Sequence, residues 1–351
     1  MHASPRSRLL LGPTAAAVGF LLASAAATRL LARSAEHRYP DVGGHVEADG
    51  VRLRYTEAGE GPPVVLIHGL LGSAFDFDIG LTDLGAERYR LVAFDRPGSG
   101  HSDDGGRRDQ SPVRQAIVLH EAAQRLGLER PVLVGYSLGA PVAMAWAELF
   151  PADVAAVVSV SGHVMPYALW YAPLMRYLRL PLVVPVASRT VCLPYGPALG
   201  HYVLRLACYP QPVPPRYAKV ALAVGLRPEP VRHAALDLDH VYVDLRLLAD
   251  GYGQVELPVV VVGGVRDRIA PFAESEAFRR HLPNARLIAV PDGGHALHVT
   301  HPSEVVKAID LAVAMATTAA APVATPLRAL RPTSASAASA AAGALADEAV
   351  A

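Results

Sequence analysis

The chain has 351 residues, with 32 Lys and Arg balanced by 32 Asp and Glu, 52% apolar residues and only 18% charged ones. The missing basic excess excludes nucleic acid as a partner, because phosphate recognition loads a domain with Lys and Arg, and the apolar fraction excludes disorder throughout. Such a length holds about two domain-equivalents, or one large domain with an insertion.

From Leu9 through Thr28 there is no charged side chain, and Arg6 and Arg8 stand just before. Twenty uncharged residues is about the minimum for a helix that crosses a bilayer. The same stretch also suits a secretory signal, with a basic start, an apolar run and the small residues Ala23-Ser24-Ala25-Ala26-Ala27 before Arg29. A third reading is a helix packed on the domain. Residues 1–38 are therefore expected to be a membrane anchor or a signal peptide, with the anchor preferred. Either makes the protein membrane-anchored or exported rather than cytoplasmic.

Next come short β-branched runs alternating with helix-length segments. Residues 51–56 alternate, as a strand with one wet face does. Residues 64–68, 91–95, 132–136, 155–161, 259–263 and 287–290 are continuous apolar runs, suited to strands covered on both faces. Helices are predicted over 113–126, 138–149, 271–281 and 302–315. The alternation implies an α/β fold, with a mostly parallel central sheet and helices on both faces. One stretch, 163–254, has no clean strand but is dense in Leu, Pro and aromatics, among them Tyr195, Tyr202 and Tyr217. It is expected to be a helical cap insertion with an apolar lid. The core is then 39–162 and 255–316. Residues 317–351 are Ala, Ser, Thr and Pro with little to bury, and are expected to form a disordered tail. Cys192 and Cys208 have no metal-ligand spacing; whether they pair is left open.

The strongest chemical signal is Gly135-Tyr136-Ser137-Leu138-Gly139, after an apolar run and before a helical segment. That context is what a nucleophile elbow requires: a tight turn that lifts a serine hydroxyl clear of the sheet. A serine needs a base, and the base needs an orienting acid. Asp267 follows the run 259–263, and His295 follows the last predicted strand in a glycine-containing loop. Both sit where open α/β sheets place their sites. Asp292 is the rival acid, and His298 and His301 are rival bases. An acyl-transfer intermediate also needs two N–H donors for its oxyanion. Leu138, directly after the serine, and Leu70, after His68-Gly69, are placed to supply them. His68 is read as a brace for that loop. The glycines of the loop from Asp95 to Ser102 lack the Walker lysine, so a structural turn is expected there.

A His-Gly loop, Asp-Arg-Pro-Gly-Ser-Gly-His-Ser, a serine elbow, then Asp and His occur in one order. Over about residues 46–311 the chain thereby resembles the α/β-hydrolase superfamily, and within it the branch with a helical cap inserted after the sixth core strand. The resemblance implies Ser137, Asp267 and His295 as catalytic nucleophile, acid and base, with Leu70 and Leu138 as the oxyanion hole. Epoxide hydrolases and haloalkane dehalogenases carry aspartate at the elbow, so Ser137 counts against both. What the resemblance implies is a serine hydrolase that cleaves a small-molecule apolar carboxylic ester through an acyl-enzyme, without metal or organic cofactor. A C–C bond hydrolase, a lactonase or a cofactor-free perhydrolase would use the same groups. A non-catalytic binding protein on this fold is the reading from a different class.

Overall fold

Runs of Val, Leu and Ile build the centre of the molecule. The computed structural model describes residues 5–106, 110–166, 180 and 182–318. Its strands are β1 (Gly44–Ala48), β2 (Val51–Ala58), β3 (Pro63–Ile67), β4 (Arg90–Phe94), β5 (Val132–Tyr136), β6 (Ala156–Val160), β7 (Val259–Gly264) and β8 (Ala285–Val290). They pair in the order β1-β2-β4-β3-β5-β6-β7-β8. The first two strands run antiparallel at one edge, and the pairs from β4 to β8 are parallel. The expected α/β architecture is therefore the one observed.

Helices at the N-terminus and in the core are α1 (Pro5–Arg38), α2 (Leu81–Gly85), α3 (Pro112–Arg125) and α4 (Gly139–Leu149). Between β6 and β7 lie α5 (Val183–Thr190), α6 (Cys192–Cys208), α7 (Pro215–Gly225) and α8 (Pro228–Gly251), and the described residues there contain no strand. The chain then continues through α9 (Phe272–His281), α10 (Leu297–Thr300) and α11 (Pro302–Thr318).

Alternation along each strand divides the core into two layers. Val65, Ile67, Leu133 and Val261 face α3 and α4, whose Trp146 is fully buried. Val64, Leu66, Val134 and Val260 face the other way, onto Val305 and Ile309 of α11. Each such side chain taken from water stabilises the fold by roughly 1.5–3 kcal/mol. Helix α3 starts where Pro112 fixes the backbone and the Ser111 hydroxyl accepts the Arg114 N–H at 3.1 Å.

Three features differ from the sequence expectation. Strand β1 is not marked by an apolar run, because only Val46 and Ala48 face inward while His45 and Glu47 stay wetter. Helix α1 runs well past Thr28 and is long and apolar enough, over Ala15–Arg38, to cross a membrane. One stripe of it packs on the cap: Ser24, Thr28 and Ala35 are buried, and the Thr28 hydroxyl donates to the Thr190 carbonyl at 3.3 Å. Helix α11 continues to Thr318, and the rest of the expected tail lies outside the described residues.

Candidate active site

Strand β5 delivers Ser137 into a turn at φ +51°. A side chain in that left-handed region costs about 1–3 kcal/mol, so the surroundings must enforce it. Two glycines make the turn possible. A Cβ on Gly135 would lie 2.5 Å from the Ala140 Cα, and one on Gly139 only 2.2 Å from the Ile67 carbonyl oxygen. Strand β3, the elbow and α4 can therefore approach closely only with no side chain at either position. The Ser137 N–H donates to the Val160 carbonyl, and its carbonyl accepts from Ala140 and His163.

The structure brings the three sequence-predicted side chains into one line. Ser137 Oγ lies 2.9 Å from His295 Nε2, and His295 Nδ1 lies 2.8 Å from Asp267 Oδ2. Asp267 follows β7, and its other oxygen accepts the N–H groups of Ile269 at 2.7 Å and Ala270 at 2.9 Å. The imidazole and carboxylate are nearly shut off from water. The rivals are elsewhere. Asp292 is exposed and pairs with His301 at 3.5 Å. His298 is buried beneath the site, 3.9 Å from the Tyr136 ring, with neither ring nitrogen bonded. Burial, then the neighbouring His295, pushes it down to about 3, so it stays a neutral spacer.

Leu70 and Leu138 flank Ser137, and their side chains share one apolar cluster with Leu245 of α8. Behind them His68 is fully buried. Its Nε2 accepts the Arg96 N–H at 3.0 Å, so Nδ1 carries the proton that is donated to the Gly69 carbonyl at 2.8 Å. Burial and the Arg96 charge hold His68 well below the ordinary histidine range. It braces the loop rather than exchanging protons. The turn from Asp95 to Ser102 is likewise built on itself: Asp95 accepts from Ala74, Arg54 and the His101 N–H.

The line of three ends at a cavity of about 380 Å³. The core contributes Ser137, His295, Leu70 and Leu138, and α6 and α7 contribute Leu199, Val203, Leu204 and Tyr217. Two polar groups not anticipated from sequence also reach it. Asp76, pushed up to about 7 by burial, and His163, 3.0 Å from Glu274, both line the wall. For Asp76 a signal existed, since Ser73 three residues earlier forms a capping box with it. Nothing in the sequence marks His163 beyond its position after β6. Cap aromatics contribute less than expected: Tyr195 and Tyr202 turn outward, while Tyr167, Trp170, Tyr171 and Tyr177 lie outside the described residues. Cys192 and Cys208 are free. They stand at opposite ends of α6, about 24 Å apart at the helical rise, far beyond disulfide reach. Among the described residues no group of three His, Cys, Asp or Glu is placed to hold a metal.

A strained serine after the central parallel strand β5, with aspartate following β7 and histidine following β8, is the arrangement of a candidate hydrolase site on an α/β sheet. Residues 62–302 match the alpha/beta hydrolase fold family, and the chain belongs to it. An uncharacterized protein of Mycobacterium tuberculosis is 30% identical over 260 residues, covering 70% of this chain and 73% of the relative. RutD of Shigella flexneri, named as a carbamate hydrolase, is 30% identical over 257 residues, 69% of this chain and 88% of its own. A thermophilic esterase from Thermogutta terrifontis shares the fold at a TM-score of 0.66 and 22% identity, over 79% of this chain and all of its own.

Proposed function

We propose that this chain is a serine hydrolase that cleaves the carboxylic ester of an apolar substrate through an acyl-enzyme. The observation that carries this is the unbroken line from Ser137 Oγ through His295 to Asp267 at the wall of an apolar cavity. His295 Nε2 takes the serine proton as Oγ attacks the carbonyl, while Asp267 holds the Nδ1–H and so fixes the tautomer. The N–H groups of Leu70 and Leu138 receive the oxyanion, a role in which one donor is worth about 2.7–4 kcal/mol. His295 passes its proton to the departing alcohol, then activates the water that frees the acid.

The cavity wall argues for the acyl part. Leucine and valine reward a hydrocarbon by about 0.8 kcal/mol per buried methylene. A carbamate, suggested by the name of RutD, would suit the same three groups but leave most of that wall unused. The test is turnover of aryl esters of increasing chain length by wild type and Ser137→Ala. The variant should fold normally and lose about four orders of magnitude or more in kcat. Undiminished turnover by the variant would refute the assignment, and a preference for carbamates over every ester would reassign the substrate.

A further inference from the structure

Zero net charge conceals a partition. Residues 5–38 and 154–228 together hold twelve of the 32 Lys and Arg but only one of the 32 Asp and Glu, Glu36. The remaining chain holds 20 basic and 31 acidic residues. Helix α1, with five Arg against Glu36, and α5 to α7, with Arg189, Arg205, Arg216 and Lys219 and no acidic residue, are thus cationic, on a core that is anionic. Arg29, Arg33, Arg189, Arg205 and Lys219 are all exposed.

Apolar exposure follows the same division. Of the eighteen large apolar side chains exposed among the described residues, six lie on α1 and eight lie on α6, on α5 or just before it. Helical spacing groups them. Tyr195, Leu199 and Tyr202 follow one another at i, i+4 and i+7 along α6, and Leu182, Val186 and Arg189 do so along α5. Phe20 of α1 stacks on Tyr195 with ring centroids 6.0 Å apart, joining the two surfaces. Leu199 and Val203 belong to this surface and also line the cavity above Ser137. A groove of about 550 Å³ between α1 and the cap is lined by Leu31 and Leu222 together with Arg38, His201 and Lys219, and by no carboxylate.

We infer that this face seats on the surface of an anionic lipid bilayer, with α1 lying in the interface and the mouth of the cavity turned toward the lipid. Apolar anchors rimmed by Arg and Lys are the composition of an interfacial amphipathic surface. Spanning would be the poorer use of α1. It would strip Ser24 from the Tyr195 hydroxyl and Thr28 from the Thr190 carbonyl, and would expose the α1 stripe that is buried on the cap, although the Thr28 hydroxyl would keep its bond to the Ser24 carbonyl at 2.9 Å. A second copy is a poorer occupant too, since a self-complementary contact sets two cationic faces together. An apolar surface this broad is uncommon on a protein that stays in water. Combined with the proposed chemistry, on which this step alone rests, the substrate is an ester drawn from the bilayer rather than from solution.

The experiment uses the full chain with vesicles of phosphatidylcholine, alone or mixed with phosphatidylglycerol. Binding is read by sedimentation, turnover on a short soluble aryl ester and on a long-chain ester embedded in the vesicles. The wild type should bind the anionic vesicles, bind the neutral ones more weakly, and be released by raised salt. Replacing two cap residues that line no part of the cavity, Leu182→Glu with Tyr202→Glu, should cut binding about tenfold or more. Turnover of the embedded ester should fall with it, while turnover of the soluble ester stays unchanged, which also shows that the variant folds. Undiminished vesicle binding by this variant would overturn the proposal, because α1 alone would then hold the membrane. Equal binding to neutral and anionic vesicles would overturn the charged contact. A halved molecular mass with unchanged vesicle binding would assign the face to a second copy. If binding responds as stated while no ester is hydrolysed, the docking face stands and the esterase reading falls.

Discussion

Asp267 divides its carboxylate between two tasks. One oxygen accepts two backbone N–H groups that shape its own loop, and the other faces the imidazole. Asp267→Asn separates the tasks. The amide oxygen can keep the loop bonds, but its NH₂ then meets Nδ1 and forces the wrong tautomer on His295. The expected outcome is a loss of about 10⁴-fold in kcat with little change in melting temperature. Matched kinetics and thermal melts check it, and a large fall in melting temperature would instead make Asp267 a residue of the fold. The line of three was legible because each member sits just past a strand that its own composition announces. Asp76 and His163 were not legible as cavity groups. Their significance comes from lining the same cavity as Ser137, which is distant from Asp76 in sequence, and no local period encodes such a shared wall.

The cap is held to the core by a buried polar junction more than by its boundaries. Asp237 of α8 receives Arg96 at 2.9 Å and the Gln115 amide at 2.9 Å, and Arg96 also donates to Gln115 and to the Gly69 carbonyl. One guanidinium thus ties together the cap, α3 and the loop that carries Leu70. Removing one partner of such a pair leaves the other charge buried and unmatched, at a cost of about 3–5 kcal/mol. Asp237→Ala should therefore lower stability by about that amount in urea unfolding. The ester KM should rise too, as the cap loosens over the cavity. Asp237→Asn, which retains an acceptor, should lose less, and equal losses for the two would refute the charge argument. At this scale the strands of the sheet centre were readable, because continuous β-branched runs have few other uses. The cap was readable only as an absence of strands. Its helices carry apolar residues on the cavity side and also on the outer side, so periodicity alone could not tell lid from surface.

Stability of the whole molecule reflects how its buried ionisable groups oppose each other. Glu148 on α4 is buried with neither carboxylate oxygen bonded, and burial pushes it up to about 8 from an ordinary 4.5. Between those values the unfolded chain releases a proton that the fold retains, so stability falls as pH rises, by about 1.4 kcal/mol per unit for one proton. His298 acts in the opposite sense. Its value falls from 6.5 to about 3, so in that window the unfolded chain takes up a proton that the fold refuses, and stability falls as pH drops. From about 4.5 to 6.5 the two slopes cancel. Above 6.5 only Glu148 remains of this pair, and below 4.5 only His298. Glu148→Gln should therefore gain melting temperature relative to wild type at pH 8 and gain much less at pH 4.5, whereas His298→Phe should gain most on the acid side. Melts across this range check both. An advantage of Glu148→Gln that is the same at both pH values would show that repacking near Gly251, whose backbone lies close to the Glu148 carboxylate, decides the effect and not ionisation.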